Sequence, residues 1–310
     1  MVVAGAVGTP SGPPPIPIEV DGLTKRYGSH LALDDLSFVA RAGRVTGFLG
    51  PNGSGKTTTM KVMLDLASAD GGGATIGGTR YRDLPDPTSV VGALVESNAF
   101  HPGRSGRNQL RILADVDGLD AERVDEVLET VGLGGAADRP VGGYSLGMRQ
   151  RLGLGCALLG DPPVLILDEP ANGLDPKGIR EMRDLLRARA AAGGTTLVSS
   201  HLLAEVELLA DDVVVVDRGR LVAEGALDDL RTETVAVRCS DPSRLASILE
   251  GAGANVNRDG GELSVQGLSE EETGRLAFDA GIVIHRLHAE SGTLEERFLR
   301  WTATAGDASR

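Results

Sequence analysis

The 310 residues suffice for one large domain and a smaller one, and an apolar share of 41% with 3% aromatics implies a core packed mainly by aliphatic side chains. A net charge of -13, from 44 acidic and 31 basic residues, argues against a nucleic-acid binder. No apolar run reaches the roughly 18 residues needed to span a bilayer, and Cys156 and Cys239, with no CxxC, exclude a disulfide framework and favour a reducing, cytoplasmic compartment.

Residues 1–17 hold five prolines (Pro10, Pro13, Pro14, Pro15 and Pro17) and no charged side chain, which predicts a disordered leader, in part polyproline II, rather than a signal peptide. Val20, Leu23 and Tyr27 predict a first strand, Leu33, Leu36, Phe38 and Val39 a second, and Val45–Leu49 a short buried third, with Gly28 and Gly43 in the turns. Directly after it, Gly50-Pro51-Asn52-Gly53-Ser54-Gly55-Lys56-Thr57 fits the phosphate-loop pattern, a Gly, four free positions, then Gly-Lys-Ser/Thr, ahead of a helix predicted over residues 57–66. Glycines let such a turn wrap closely, so backbone N–H groups and the helix N-terminus converge on one small space suited to a polyphosphate. Lys56 is placed to reach β- and γ-phosphates, and the Thr57 hydroxyl to ligate Mg²⁺. Tyr27 reads equally as a packing residue or as a platform for a purine ring.

Residues 69–73 (Ala-Asp-Gly-Gly-Gly) predict a loose turn, and residues 74–95 short strands and turns, with Glu96 at the end of the last run. Residues 110–131 carry helical periodicity that Gly118 can break. Residues 144–159 predict a buried helix capped near Ser145, with Cys156 as a small core residue. Val164–Leu167 is an aliphatic run typical of a central strand, and Asp168 and Glu169 follow at once. Paired carboxylates at the end of a buried strand are costly unless they meet a cation or water. Beside a phosphate loop, Asp168 would hold Mg²⁺ and Glu169 would polarise the attacking water, with Asp175 in the next loop. Residues 178–192 predict a surface helix with Ile179, Met182, Leu185 and Leu186 inward, and Thr195–Ser200 a strand of the same sheet ending at His201. Ligands gather at the carboxyl ends of such strands, which points His201 at a γ-phosphate. A helix over 202–209 and a hairpin around Asp217-Arg218-Gly219-Arg220 close the domain near residue 229.

Residues 231–310 read as a separate α+β unit, with strands at 235–237, 263–265 and 283–284 and helices at 245–249, 270–278 and 293–301. His285 and His288 have no third spaced ligand, so the unit is read as docking or dimerisation rather than chemistry.

Taken together, residues 20–228 resemble the nucleotide-binding subunit of an ABC transporter, with several motifs in order and spacing. Residues 50–57 match Walker A, 164–169 Walker B, 145–151 the signature segment, 171–175 the D-loop and His201 the switch histidine, while Tyr27 falls at the A-loop aromatic position. The resemblance implies an α/β P-loop ATPase core with an antiparallel β subdomain and a helical subdomain over about 97–160, all within residues 18–229, followed by an accessory domain over 230–310. It implies ATP and Mg²⁺ as ligands. Catalysis falls to Glu169, His201 and Lys56, and the metal to Thr57, Asp168 and Glu96. Nucleotide contacts fall to Tyr27, Gly50, Pro51, Asn52, Gly53, Ser54, Gly55, Lys56, Thr57 and Thr58, and to Ser145 and Gly147 from a paired subunit.

Two departures narrow the branch. The usual Leu-Ser-Gly-Gly-Gln reads Tyr144-Ser145-Leu146-Gly147-Met148, and the Q-loop glutamine position falls on Glu96. Both resemble the bacterial daunorubicin/doxorubicin-resistance exporters and related peptide-antibiotic exporters. Such a chain would pair head to tail with a second copy or a homologous ATPase, bind no nucleic acid, and sit on the cytoplasmic face of the plasma membrane against a separate integral membrane permease. The permease would be met around residues 96–106. Alternatives are the ATPase of an importer or of a lipid or polysaccharide exporter, a soluble ABC-type ATPase, and a non-catalytic scaffold. Against the last stand Lys56, Asp168, Glu169 and His201, and against the soluble types stands a single ATPase domain with no coiled-coil insertion.

Overall fold

A computed structural model describes residues 15–95, 100–230, 233–259 and 262–291. The chain divides into two units that meet between Glu224 and Gly225. Residue 229, the expected end of the first domain, lies inside a short helix of the second unit.

The first unit opens with an antiparallel hairpin, β1 (Ile18–Tyr27) and β2 (His30–Ala40), whose Ile18, Val20, Leu23, Leu33, Leu36 and Phe38 are buried. β3 (Val45–Leu49), buried at every position, leads through residues 50–55 into α1 (Lys56–Met63). β4 (Gly71–Ile76) pairs with the free edge of β1 and completes a three-stranded sheet, β2-β1-β4. Here the expected loose turn over residues 69–73 is corrected: Gly71 and Gly73 pair with Thr24 and Asp21, because β1 offers an open ladder of backbone partners whatever the side chains opposite. α2 (Pro87–Val90), capped by Asp86, leads into β5 (Val91–Leu94).

Three helices follow. α3 (Gly106–Asp117) starts at the Ser105 cap and ends at Gly118, whose φ of 66° is the left-handed stop expected there. α4 (Ala121–Thr130) buries Val124, Val127 and Leu128, and α5 (Leu146–Leu158) starts at Ser145, whose Oγ accepts from the Met148 N–H. Then come β6 (Val164–Leu167), α6 (Pro176–Ala191), β7 (Thr195–Ser200), α7 (Leu203–Leu209), β8 (Asp212–Asp217) and β9 (Arg220–Ala226). The six-stranded sheet has the order β5-β6-β7-β3-β8-β9, with parallel pairing from β5 through to β8.

Strand periodicity of two divides the core between the faces of this sheet. Leu165, Leu167 and Val198 pack with α4, α5 and Met182 and Leu186 of α6. Val164, Ile166, Leu197 and Phe48 pack with Met60 and Met63 of α1 and with the three-stranded sheet. The Phe38 and Phe48 rings, 5.1 Å apart, join the two sheets. On α5, Cys156 packs against the core, and burial pushes its thiol up to about 12.

In the second unit, α8 (Leu227–Leu230) precedes β10 (Glu233–Cys239), α9 (Pro242–Gly251), β11 (Asn255–Asp259), β12 (Glu262–Gln266), α10 (Glu270–Asp279) and β13 (Ile284–Ser291). The βαββαβ order and the antiparallel sheet β11-β12-β10-β13 make a ferredoxin-like fold. Val235, Val237, Leu245, Leu249, Leu263, Val265 and Ala277 fill its core, and Ser269 and Glu272 form a capping box on α10. The helix expected over 293–301 and most of the Pro-rich leader lie outside the described residues. Among the described residues, no helix is long and apolar enough to cross a membrane.

Gly92 of β5 lets α5 approach: a Cβ there would lie 1.9 Å from the Ala157 carbonyl oxygen and 2.8 Å from Pro162 Cγ. Backbone cannot give way as a side-chain tip can. Gly92→Ala is expected to destabilise the chain by about 3 kcal/mol, read as a lower midpoint in urea denaturation followed by circular dichroism. An unchanged midpoint would contradict this packing.

Candidate active site

β3, β7 and β6 are successive neighbours in the parallel sheet, so their carboxyl ends bring residues 50–57, His201 and the Asp168-Glu169 pair together. The loop after β3 turns on Gly55, whose φ is 107° and whose Cβ, if present, would lie 2.6 Å from Leu33 Cδ2 and 2.9 Å from the Ala32 carbonyl oxygen. No L side chain fits that conformation and that space. Ser54 Oγ is buried in the loop without a hydrogen-bond partner. Pro51, Asn52 and Gly53 are exposed, and Thr58 is half-buried in the first turn of α1.

Lys56 is buried, and its Nζ donates to the carbonyl oxygens of Gly50 (2.6 Å) and Pro51 (3.2 Å). Burial lowers the pKa of this amine, while the charges of Glu169 and Asp168 work the other way. Thr57 Oγ1 donates to Asp168 Oδ2 at 2.6 Å, and Ser199 Oγ donates to Asp168 Oδ1 at 2.5 Å. The same Ser199 Oγ accepts from the Glu169 N–H at 2.9 Å. Glu169 has φ of 48°, and its Oε2 lies 2.8 Å from His201 Nδ1. Gln150 Nε2 donates to the Glu169 carbonyl oxygen at 2.9 Å. Behind His201, Ser200 Oγ accepts from the Leu202 N–H and donates to Glu205. Burial pushes the Glu205 carboxyl up, the Ser200 hydrogen bond opposes this, and the nearby Glu169 charge adds to it.

The structure therefore brings together Lys56, Thr57, Asp168, Glu169 and His201. Tyr27 is 48% exposed with Lys25 Nζ 5.2 Å from its ring centroid, on a hairpin that reaches the loop at Ala32 and Leu33. Ser145 and Gly147 stand apart: no hydrogen bond joins either to the cluster, and Ser145 Oγ is occupied by the Met148 N–H. Leu146, 45% exposed, closes onto Gly173 of the loop before α6, where Asp175 caps the helix by accepting from the Gly178 N–H. Glu96 lies outside the described residues. The residues that sequence reasoning passed over are Ser199 and Gln150. Their only local signal is a polar residue at a buried position of a strand and of a helix.

Among the described residues, no group of three or more His, Cys, Asp or Glu is placed to hold a metal. The hard oxygen pair of Thr57 and Asp168 instead fits Mg²⁺, which binds through one or two protein oxygens with phosphate and water completing its shell.

A family model described as "ABC transporter" matches residues 33–172, and one described as a domain of unknown function matches residues 233–295. The chain is 39% identical to the uncharacterized ABC transporter ATP-binding protein YhcH of Bacillus subtilis, over 92% of this chain and 95% of that protein. It is 35% identical to the bacitracin transport ATP-binding protein BcrA of Enterococcus faecalis, over 94% and 98%. It is 37% identical to the daunorubicin resistance ATP-binding protein DrrA3 of Streptomyces coeruleorubidus, over 92% and 95%. A solved ATP-binding subunit of an ABC transporter superposes with a TM-score of 0.63 at 31% identity, over 69% of this chain and 91% of that one.

Gly55→Ala is expected to abolish binding of a fluorescent ATP analogue while the far-ultraviolet circular dichroism stays that of the wild type. Binding retained at wild-type affinity would mean that the loop tolerates a side chain at its left-handed turn.

Proposed function

The chain belongs to the ABC transporter family of ATP-binding, ATP-hydrolysing subunits, and from that premise we propose that it powers a separate membrane permease exporting a drug, antibiotic or other hydrophobic compound. The observation that carries the hydrolytic part is the Glu169 carboxylate, held by His201 beside the Thr57–Asp168 oxygen pair and the buried Lys56. The export reading rests on the relatives named for bacitracin transport and daunorubicin resistance, and on the Leu146 departure.

Thr57 and Asp168 would hold Mg²⁺, which when bound offsets charge on the β- and γ-phosphates. Lys56 exchanges its two carbonyl acceptors for phosphate oxygens, so a buried cation is never left unpaired. Glu169 accepts a proton from the attacking water as its oxygen bonds to the γ-phosphorus and the bond to the bridging oxygen of ADP breaks. His201, in contact with the Glu169 carboxylate, keeps that carboxylate in place. Tyr27 offers a half-exposed ring to the adenine. Ser145 and Gly147, apart from the cluster in their own chain, complete the site of a second subunit in a head-to-tail pair. The permease meets the surface around residues 96–106, and α3 adds two exposed aliphatic side chains, Ile112 (37% exposed) and Val116 (78% exposed), one helical turn apart. The chain thereby sits peripherally on the cytoplasmic face of the membrane.

Glu169→Gln is expected to keep ATP binding and lower turnover by about a hundredfold or more. Hydrolysis near the wild-type rate in the purified complex would refute the assignment. Ser145→Ala is expected to reduce the dimer fraction formed on adding ATP, measured by size-exclusion chromatography with light scattering in the Glu169→Gln background. A dimer fraction equal to that of the parent would remove Ser145 from the interface. Co-purification of a polytopic membrane protein with the tagged chain tests the partner, and its absence from detergent extracts of the native organism would count against the transport reading.

A further inference from the structure

Glu169 is clamped through its backbone as well as its side chain. A non-glycine residue in the left-handed region costs about 1–3 kcal/mol, and Glu169 holds φ of 48° two residues past the end of a buried strand. Its N–H donates to Ser199 Oγ, and its carbonyl oxygen accepts from Gln150 Nε2 at 2.9 Å and from the Asn172 N–H at 3.2 Å. We propose that Ser199 and Gln150 are positioning residues for the water-activating carboxylate, and that Gln150 ties it to the helix bearing Ser145 and Gly147. The proposal rests on the reading of Glu169 given above.

Stability alone does not account for these two side chains. Ser199 is fully buried and Gln150 is 2% exposed. Gln150 Oε1 is buried with no partner, and an unsatisfied buried acceptor costs about 1–3 kcal/mol. An apolar side chain at 150 would avoid that cost, and Asn172 would still satisfy the Glu169 carbonyl. What an apolar residue cannot do is fix the peptide from the side of α5. Ser199 is similarly singular: one oxygen donates to the Asp168 carboxylate and accepts from the Glu169 N–H, so the two carboxylate residues cannot move independently. Gln150 lies one turn along α5 from Leu146, so a tilt of the helix N-terminus reaches the Glu169 peptide through one amide.

The test uses the full-length chain with Mg·ATP in single-turnover hydrolysis and a fluorescent ATP analogue for affinity. Gln150→Met is expected to slow hydrolysis roughly tenfold or more while affinity stays within about twofold. In the Glu169→Gln background the same change is expected to slow the residual rate no further, because its effect runs through the carboxylate. Ser199→Ala, which also frees Asp168 Oδ1, should both slow hydrolysis and raise the Mg²⁺ concentration needed for half-maximal rate. Should Gln150→Met fail to fold, judged by its thermal midpoint, Ser199→Ala carries the same double-variant test at saturating Mg²⁺, where the loosened Asp168 no longer limits the rate. Wild-type rates in both variants, equal losses of rate and affinity, or a further fall in the Glu169→Gln background would overturn the clamp alone. A wild-type chain that binds ATP and does not hydrolyse it overturns the functional reading and the clamp with it.

Discussion

Asp168 accepts from Thr57 on one oxygen and from Ser199 on the other, and this bridge sets the geometry of everything around it. Thr57 lies in the first turn of the helix after the phosphate loop, Ser199 belongs to the neighbouring strand β7, and Asp168 directly follows β6. Three elements distant in sequence are thereby held to one carboxylate. Parallel strands make this possible, since their carboxyl ends all lie on one edge of the sheet and each loop leaves from the same side. The aliphatic faces of β6 and β7 fix the strand register on both sides, so the carboxylate has little freedom to drift.

Charge within the cluster is nearly self-contained. The buried Lys56 amine, whose pKa burial lowers, has the Asp168 and Glu169 charges near it and two backbone carbonyls as its immediate acceptors. A lysine held this way is desolvated before any ligand arrives, and in the proposed site preorganised charge of that kind would need little rearrangement for phosphate to replace the carbonyls. Glu205 belongs to the same design at one remove. Through Ser200 it braces the turn that carries His201, and its own carboxyl is pushed toward neutrality mainly by burial.

Much of this was legible in the sequence because each residue type is dictated by a local demand. The phosphate loop needs its glycines and lysine at fixed offsets, and β6 declares itself by four aliphatic residues before two acids. Gly118 ends α3 in the left-handed turn that its residue type suggested. The rest depends on partners far along the chain. β11, of sequence Asn-Val-Asn-Arg-Asp, has almost no apolar signal and exists because β12 offers it a ladder. The glycines at 71 and 73 become strand for the same reason, against β1. Ser199 and Gln150 reach Glu169 from 30 and 19 residues away, and nothing local announces such a contact. The ferredoxin-like order of the second unit is likewise a matter of which strands pair, which periodicity cannot specify.

Leu146 shows how one departure from a family pattern can alter a surface without disturbing the helix beneath it. In place of the first of the two glycines at the N-terminus of α5, it lays an aliphatic side chain over Gly173, and Gly147, the second, backs onto the Gly173 carbonyl so closely that a Cβ at 147 would lie 2.5 Å from it. Ser145 still caps the helix, so its N-terminal amides keep their direction. The change falls on the outer face, where Leu146 remains 45% exposed. Burying the remainder of such a side chain against another subunit is worth on the order of 1 kcal/mol. In the proposed pair, the leucine replaces close backbone access by apolar contact. That exchange favours a subunit interface that draws part of its affinity from packing rather than from nucleotide alone.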